Sequence, residues 1–144
     1  MSPALTSHFA DYGSFHRTPG NQACHYVGIP LIVLTLFTFL AAVPLLDAGR
    51  ITLTLAELVL AGVVIYYFSL DAALAALMLV VFVLFDLLGR RVPLPLALAL
   101  FVLGWALQFA GHYVWEKKSP AFFRNVTHLL VGPLWIAAKA VGRA

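Results

Sequence analysis

Four of the five histidines fall in two short polar blocks, His16 and His25 ahead of a long apolar middle and His112 and His128 behind it. Neutral imidazole binds iron, zinc, copper or nickel, and a ligating histidine usually hands its other N–H to a carboxylate or a carbonyl. Each block carries helpers for that role: Asn21 near His25, Glu116 near His112, and Asn125 near His128. If these stretches are helical, Asn21 and His25 share a face, as do His112 and Glu116, because side chains four apart stack on one another. The layout points to one metal site built by both blocks. The competing reading is a set of imidazoles at headgroup level, satisfied by water.

Other chemistries lack their residues. Paired HxxxH or HxxHH clusters of the kind that hold two irons are absent, which favours a single ion, and HExxH is absent too. There is no Gly-x-Ser-x-Gly elbow and no phosphate-cradling glycine loop. A haem held by two histidines in a four-helix bundle remains an alternative, although such ligands usually lie within spans and His25 and His112 fall at span ends. A non-catalytic membrane protein that binds lipid or a partner through its polar face is the other.

The elements that must position the histidines are set by composition. Of 144 residues, 62% are apolar and 10% charged, against roughly 45–50% and about 25% in soluble domains. The mean hydropathy is +0.96. This is the composition of an integral membrane protein. A net charge of +3 without a basic run interleaved with aromatics gives nucleic acid nothing to bind. The lone Cys24 cannot form an internal disulfide. The first 28 residues carry charges, glycines and histidines before any apolar run and do not read as a signal peptide.

The expected fold is all-α, an integral membrane bundle of four transmembrane helices plus a short C-terminal interfacial or re-entrant helix. The charge-free run from Ile29 to Leu46, with Pro30 in its first turn, is long enough for a hydrocarbon core of about 30 Å. A second run, Leu55 to Leu70, is separated by Asp71 from a third, Ala72 to Leu88. Asp71 is the expected N-cap of the third and Gly89 its C-cap. A fourth covers Leu94 to Ala110. Residues 129–141 contain Gly132-Pro133 and are short for a crossing. The chain thus reads as one membrane domain: an N-terminal histidine block over 1–28, four spans over 29–110, and a C-terminal histidine block with an interfacial helix over 111–144. Four crossings put both termini on one side. With that side inside, Arg17, Lys117, Lys118, Arg124, Lys139 and Arg143 lie inside, and Arg50, Arg90 and Arg91 outside, which favours cytoplasmic termini. All four block histidines then meet at one membrane face, flanked by Tyr113 and Trp115 as one wall.

The two blocks also resemble a known family. Tyr12, His16, Asn21, His25, Gly28 and Pro30 are similar to the first signature of the 2-hydroxy-fatty-acid dioxygenases, and Gln108, Gly111, His112, Glu116, Pro120, Ala121, Asn125 and Pro133 resemble the second. The resemblance spans nearly the whole chain. It implies an iron(II)-dependent enzyme of the membrane that uses molecular oxygen to shorten 2-hydroxy fatty acids by one carbon. It implies His16, His25 and His112 as ligands, with Glu116 in the catalytic group. His128 is the fourth ligand candidate and is less secure, since many members carry glutamine there. Asn21, Asn125, Tyr12 and Tyr113 fall to the surroundings of the ion or to substrate. A fatty-acid carboxylate calls for a cation, and Arg124, whose guanidinium can meet it with two hydrogen bonds, is the best placed of Arg17, Lys117, Lys118 and Arg124. A short chain of this kind points to a bacterial inner membrane, with membrane lipid around it and homo-oligomerisation left open.

Overall fold

The computed structural model describes residues 1–49 and 52–144. Arg50, counted above among the outer cations, lies outside them. Helix α1 (Pro3–Ser14) starts where the Ser2 side chain accepts from the Leu5 N–H, with proline in the first turn. Helix α2 (Pro19–Ala41) starts the same way at Thr18-Pro19. It differs at both ends from the expected run of 29–46. The capped start lies ten residues earlier, among polar side chains that hydropathy does not register, so Pro30 sits inside the helix rather than in its first turn. The end is set by Pro44, which disfavours helix in the residue before it. Beyond it β1 (Pro44–Asp47) pairs antiparallel with β2 (Thr52–Thr54).

Helix α3 (Leu55–Leu70) opens with a capping box in which Thr54 and Glu57 satisfy each other's backbone N–H. Glu57 is therefore a cap. The Asp71 carboxylate accepts from the Leu74 N–H and caps helix α4 (Ala72–Gly89), as its place in the sequence suggests. The C-cap of α4 is Arg90 in right-handed conformation rather than Gly89. Gly89 instead packs against Thr38, whose backbone N would lie 3.1 Å from a Cβ there. Arg90 binds Asp86 one turn back at 3.0 Å and also reaches Glu57 and Thr54, which closes this end of the bundle. Helix α5 (Leu94–Ala110) runs into a π-helical turn (Gly111–Glu116), and helix α6 (His128–Ala140) follows.

Among the described residues, three helical segments are long and apolar enough to cross a membrane: Pro19–Ala41, Ala72–Gly89 and Leu94–Glu116. Helix α3 is apolar but has 16 residues, about 24 Å at 1.5 Å per residue. The outward faces of the bundle are apolar, with Leu58 and Ile65 on α3, Val80 and Leu84 on α4, and Leu98 and Val102 on α5 all exposed. Such a surface suits lipid. Helices α2 and α5 cross at two glycines: a Cβ on Gly28 would lie 2.8 Å from the Gly104 carbonyl, and one on Gly104 would lie 3.0 Å from the Gly28 carbonyl. Small residues at a crossing let helix backbones approach closely. That crossing brings the polar first turns of α2 beside the polar end of α5.

At the same end α1 and α6 cover the bundle. Leu5, Phe9 and Tyr12 pack in one core with Val131, Leu134, Trp135 and Ala138, and the Tyr67 hydroxyl on α3 donates to the Leu130 carbonyl at 2.5 Å. Arg143 makes two hydrogen bonds of 2.9 Å to Asp71. Those bonds and the Leu74 N–H hold the Asp71 carboxyl well below the usual carboxylate range. A depressed pKa contributes stability that is present above the unfolded value of about 3.9 and is lost as pH falls through the folded one. Asp71→Ala is expected to cost about 1 kcal/mol from the cap alone, and to flatten the acid end of the stability profile, read by thermal unfolding in detergent across pH. An unchanged acid limb in the variant would remove Asp71 from this role.

Candidate metal centre

His16 lies just past the end of α1, its backbone N–H donating to the Gly13 carbonyl at 3.1 Å, and its side chain folds back on the helix. Its Nδ1 donates to the Tyr12 carbonyl at 2.7 Å, and its ring stacks on the Tyr12 ring with centroids 4.0 Å apart. His25 Nδ1 donates to the Asn21 carbonyl at 2.9 Å, one turn back on α2. A carbonyl only accepts, so in both rings the proton sits on Nδ1 and Nε2 presents a lone pair. His112 occupies the π-helical turn, where a widened turn often marks a functional site. One nitrogen from each of the three histidines lies within 4.8 Å of the others. All three side chains are buried, and the His16 Nε2 and His112 Nδ1 atoms have no hydrogen-bond partner. Burial pushes His16 down to about 4, so its imidazole is neutral at physiological pH.

Leaving a buried polar atom unmet costs about 1–3 kcal/mol, and several imidazole nitrogens turned on one point are what a cation satisfies. The residues therefore fit a metal ion, with two of the rings already oriented by backbone carbonyls in the manner of a ligating histidine. They do not fit a haem. Ring centroids 4.4, 4.9 and 4.9 Å apart leave no space for a porphyrin plane between any two.

Glu116 is the fastening of the site. Its carboxylate accepts from the backbone N–H of Arg17 (3.2 and 3.1 Å) and of Thr18 (3.1 Å), from the Thr18 hydroxyl (2.9 Å) and from Asn21 Nδ2 (3.1 Å). It thus sits at the N-terminus of α2, where unpaired N–H groups and the helix dipole favour an anion. Asn21 also donates to the Phe15 carbonyl at 3.0 Å, which joins α1 to the same knot. Gly111 makes room for it, since a Cβ there would lie 2.5 Å from Asn21 Oδ1.

His128 stands apart from the three. Its Nε2 lies 2.7 Å from Asp11 Oδ2, and its ring centroid lies 5.5 Å from that of Tyr12. It lines the cavity beside the site without joining the ligand group. Asn125 uses its Oδ1 on the Thr127 N–H and hydroxyl at the start of α6, at 3.1 and 2.6 Å, which is a turn role. Tyr113 is exposed and stacks on Phe109, and Arg124 is exposed outside the cavity wall. Burial raises the Tyr12 phenol well above its usual range, so it acts as a neutral wall.

A cavity of about 130 Å³ opens from the three histidines. Ile29, Ile32, Val33 and Leu36 of α2 line one side, with Trp105, Phe122, Leu129 and Pro133 opposite. From His25 to Leu36 this slot follows about 16 Å of helix. Among the described residues no lysine or arginine lines it. Sequence reasoning missed Asp11 and Trp105 as neighbours of the site and gave Gln108 no role beyond its place in the second signature. Gln108 had a signal, a polar side chain in an apolar run one turn before His112; Asp11 had none, since it meets His128 across 117 residues.

Fold and site together define a helical, membrane-compatible protein with a three-histidine centre at the head of an apolar slot. The chain belongs to the family described as 2-hydroxy-palmitic acid dioxygenase Mpo1-like, which it matches over residues 3–144. It is 32% identical over 129 residues to the 2-hydroxy-palmitic acid dioxygenase MPO1 of Saccharomyces cerevisiae, an alignment that covers 88% of this chain and 73% of the yeast protein. No solved structure matches it.

Glu116→Ala is expected to weaken divalent-metal binding by about tenfold to a hundredfold, the usual cost of losing an outer support of a metal site. Competition with a chelator measures this. Parent-like affinity in the variant would show the fastening to be dispensable.

Proposed function

We propose that this protein is an iron(II)-dependent dioxygenase that shortens 2-hydroxy fatty acids by one carbon. The observation that carries the reading is the convergence of His16, His25 and His112 at one end of an apolar slot. Family membership supplies the reaction class, and the yeast relative is named for its action on 2-hydroxy-palmitic acid. Iron(II) bound by three neutral imidazoles would supply open coordination positions and the one-electron chemistry that dioxygen requires.

The chain's own residues do the rest. The Tyr12 and Asn21 carbonyls hold two of the imidazoles in the tautomer that offers Nε2. The slot of Ile32, Val33 and Leu36 takes the acyl chain and keeps water from the centre, each buried methylene contributing about 0.8 kcal/mol. His128 and Tyr12 close the side facing α1. With no lysine or arginine in the wall among the described residues, an ion held by His16, His25 and His112 would supply the positive charge for the carboxylate, in place of the Arg124 that sequence position suggested. In the membrane, α3 is the fourth span, its short length met by local thinning or by the paired strands at its start. The balance of Arg17, Lys117, Lys118, Arg124, Lys139 and Arg143 supports a cytoplasmic site.

The test is metal analysis of detergent-purified protein, then anaerobic addition of iron(II) and 2-hydroxypalmitate, then oxygen. The expected result is oxygen uptake with a product one carbon shorter, lost in His16→Ala, His25→Ala and His112→Ala together with the metal, and retained in part in His128→Ala. Iron-loaded protein that consumes no oxygen with any 2-hydroxy acid would overturn the reading.

A further inference from the structure

The site holds one buried polar side chain with no partner and no role so far. Gln108 is 5% exposed, its Nε2 is buried without a hydrogen-bond partner, and among the described residues its Oε1 makes none either. It lies on α5 one turn before His112, so the two side chains stack on the same face. Opposite it stands Gly28, three residues after His25 on α2, and a Cβ at residue 28 would collide with Gln108 Nε2. The Gln108–Gly28 layer is thus the next layer below the His112–His25 layer, and Ile32 and Leu36 begin the apolar slot beneath it.

An unmet amide in a dry wall costs free energy unless a ligand meets it. The layer identifies which part of a ligand that is. A molecule with its head at the three histidines and its tail in the slot passes Gln108 at the first atoms after the head. In a 2-hydroxy acid that position carries the C2 hydroxyl. A hydroxyl both gives and takes a hydrogen bond, and a primary amide offers one of each. A plain fatty acid has only a methylene there and leaves the amide unmet.

We propose that the Gln108 amide hydrogen-bonds the substrate's 2-hydroxyl group, and so separates 2-hydroxy acids from plain fatty acids. This rests on the fatty-acid reading above. Gly28 is part of the device, since it clears the space in which the amide stands. Sites that pair with a hydroxyl reject the analogue lacking it because their own polar groups are then stranded.

The experiment is equilibrium binding of 2-hydroxypalmitate and of palmitate, under argon, to iron(II)-loaded full-length protein in detergent. It compares the parent with Gln108→Leu and Gln108→Met, two apolar replacements of similar volume. Iron content is measured in each. Expected is unchanged iron, an affinity for 2-hydroxypalmitate lowered about tenfold in both variants, and a palmitate affinity within about twofold of the parent. The preference for the hydroxy acid therefore shrinks. A preference unchanged in the variants overturns the proposal, as does an equal loss of both acids with iron retained, which would mark Gln108 as packing. A parent that binds both acids alike overturns the proposal as well, whereas a parent that binds neither strikes the fatty-acid reading itself and is told apart by that control.

Discussion

One carboxylate joins the two halves of the three-histidine site. Glu116 comes from the end of α5 and its π-helical turn, and the groups it binds belong to the link between α1 and α2. His16 lies immediately before Arg17, and His25 hangs from the carbonyl of Asn21, whose side chain the same carboxylate holds. His112 is four residues from Glu116 on its own element. All three rings are thus referred to one anion. The anion gains what any helix start offers, several N–H groups with no partner inside the helix, so the arrangement stabilises α2 and the site at once.

The charge logic of the cavity follows from its surroundings. Within a wall of leucine, isoleucine and aromatic side chains an unpaired lysine or arginine would be costly to bury, and among the described residues the lining has none. The cations near the ends, Arg17, Lys117 and Arg124, stay exposed. The one pairing of an ionisable couple at the cavity, His128 with Asp11, places the carboxylate half in the exposed position and the imidazole inside. The centre itself is built of neutral imidazoles, and a neutral amide, Gln108, is the polar group beneath it.

Much of this was legible from the chain, for identifiable reasons. His16, His25 and His112 stood out because they fall in two polar blocks either side of the apolar middle, and the expected even number of crossings put both blocks at one face whichever side the termini occupy. Asp71 could be read as a cap since it interrupts two apolar runs where a helix must start. The start of α2 was hidden, because hydropathy sees a span only where polar residues stop, whereas the helix itself starts at Thr18-Pro19. The partners of Glu116 were hidden too. An i, i+4 relation to His112 suggested local help, but its partners lie 95 to 99 residues away, and the backbone donors among them have no letter in a sequence. His128, the less secure fourth candidate, lies beside the three histidines rather than among them: being on the right face does not tell a ligand from a neighbour, and Asp11, which pairs with it, carries no motif.

The orientation of the imidazoles has a consequence for how this site can change. The groups that fix the tautomers of His16 and His25 are the main-chain oxygens of residues 12 and 21. No single-codon replacement deletes a main-chain oxygen. The support shell is therefore carried by the shape of two helix turns, and the side chains at 12 and 21 are free to be selected for other tasks, packing against an imidazole in one case and bracing a carboxylate in the other. Drift in the letters around the centre can alter what enters it well before it alters the ring nitrogens offered to an ion.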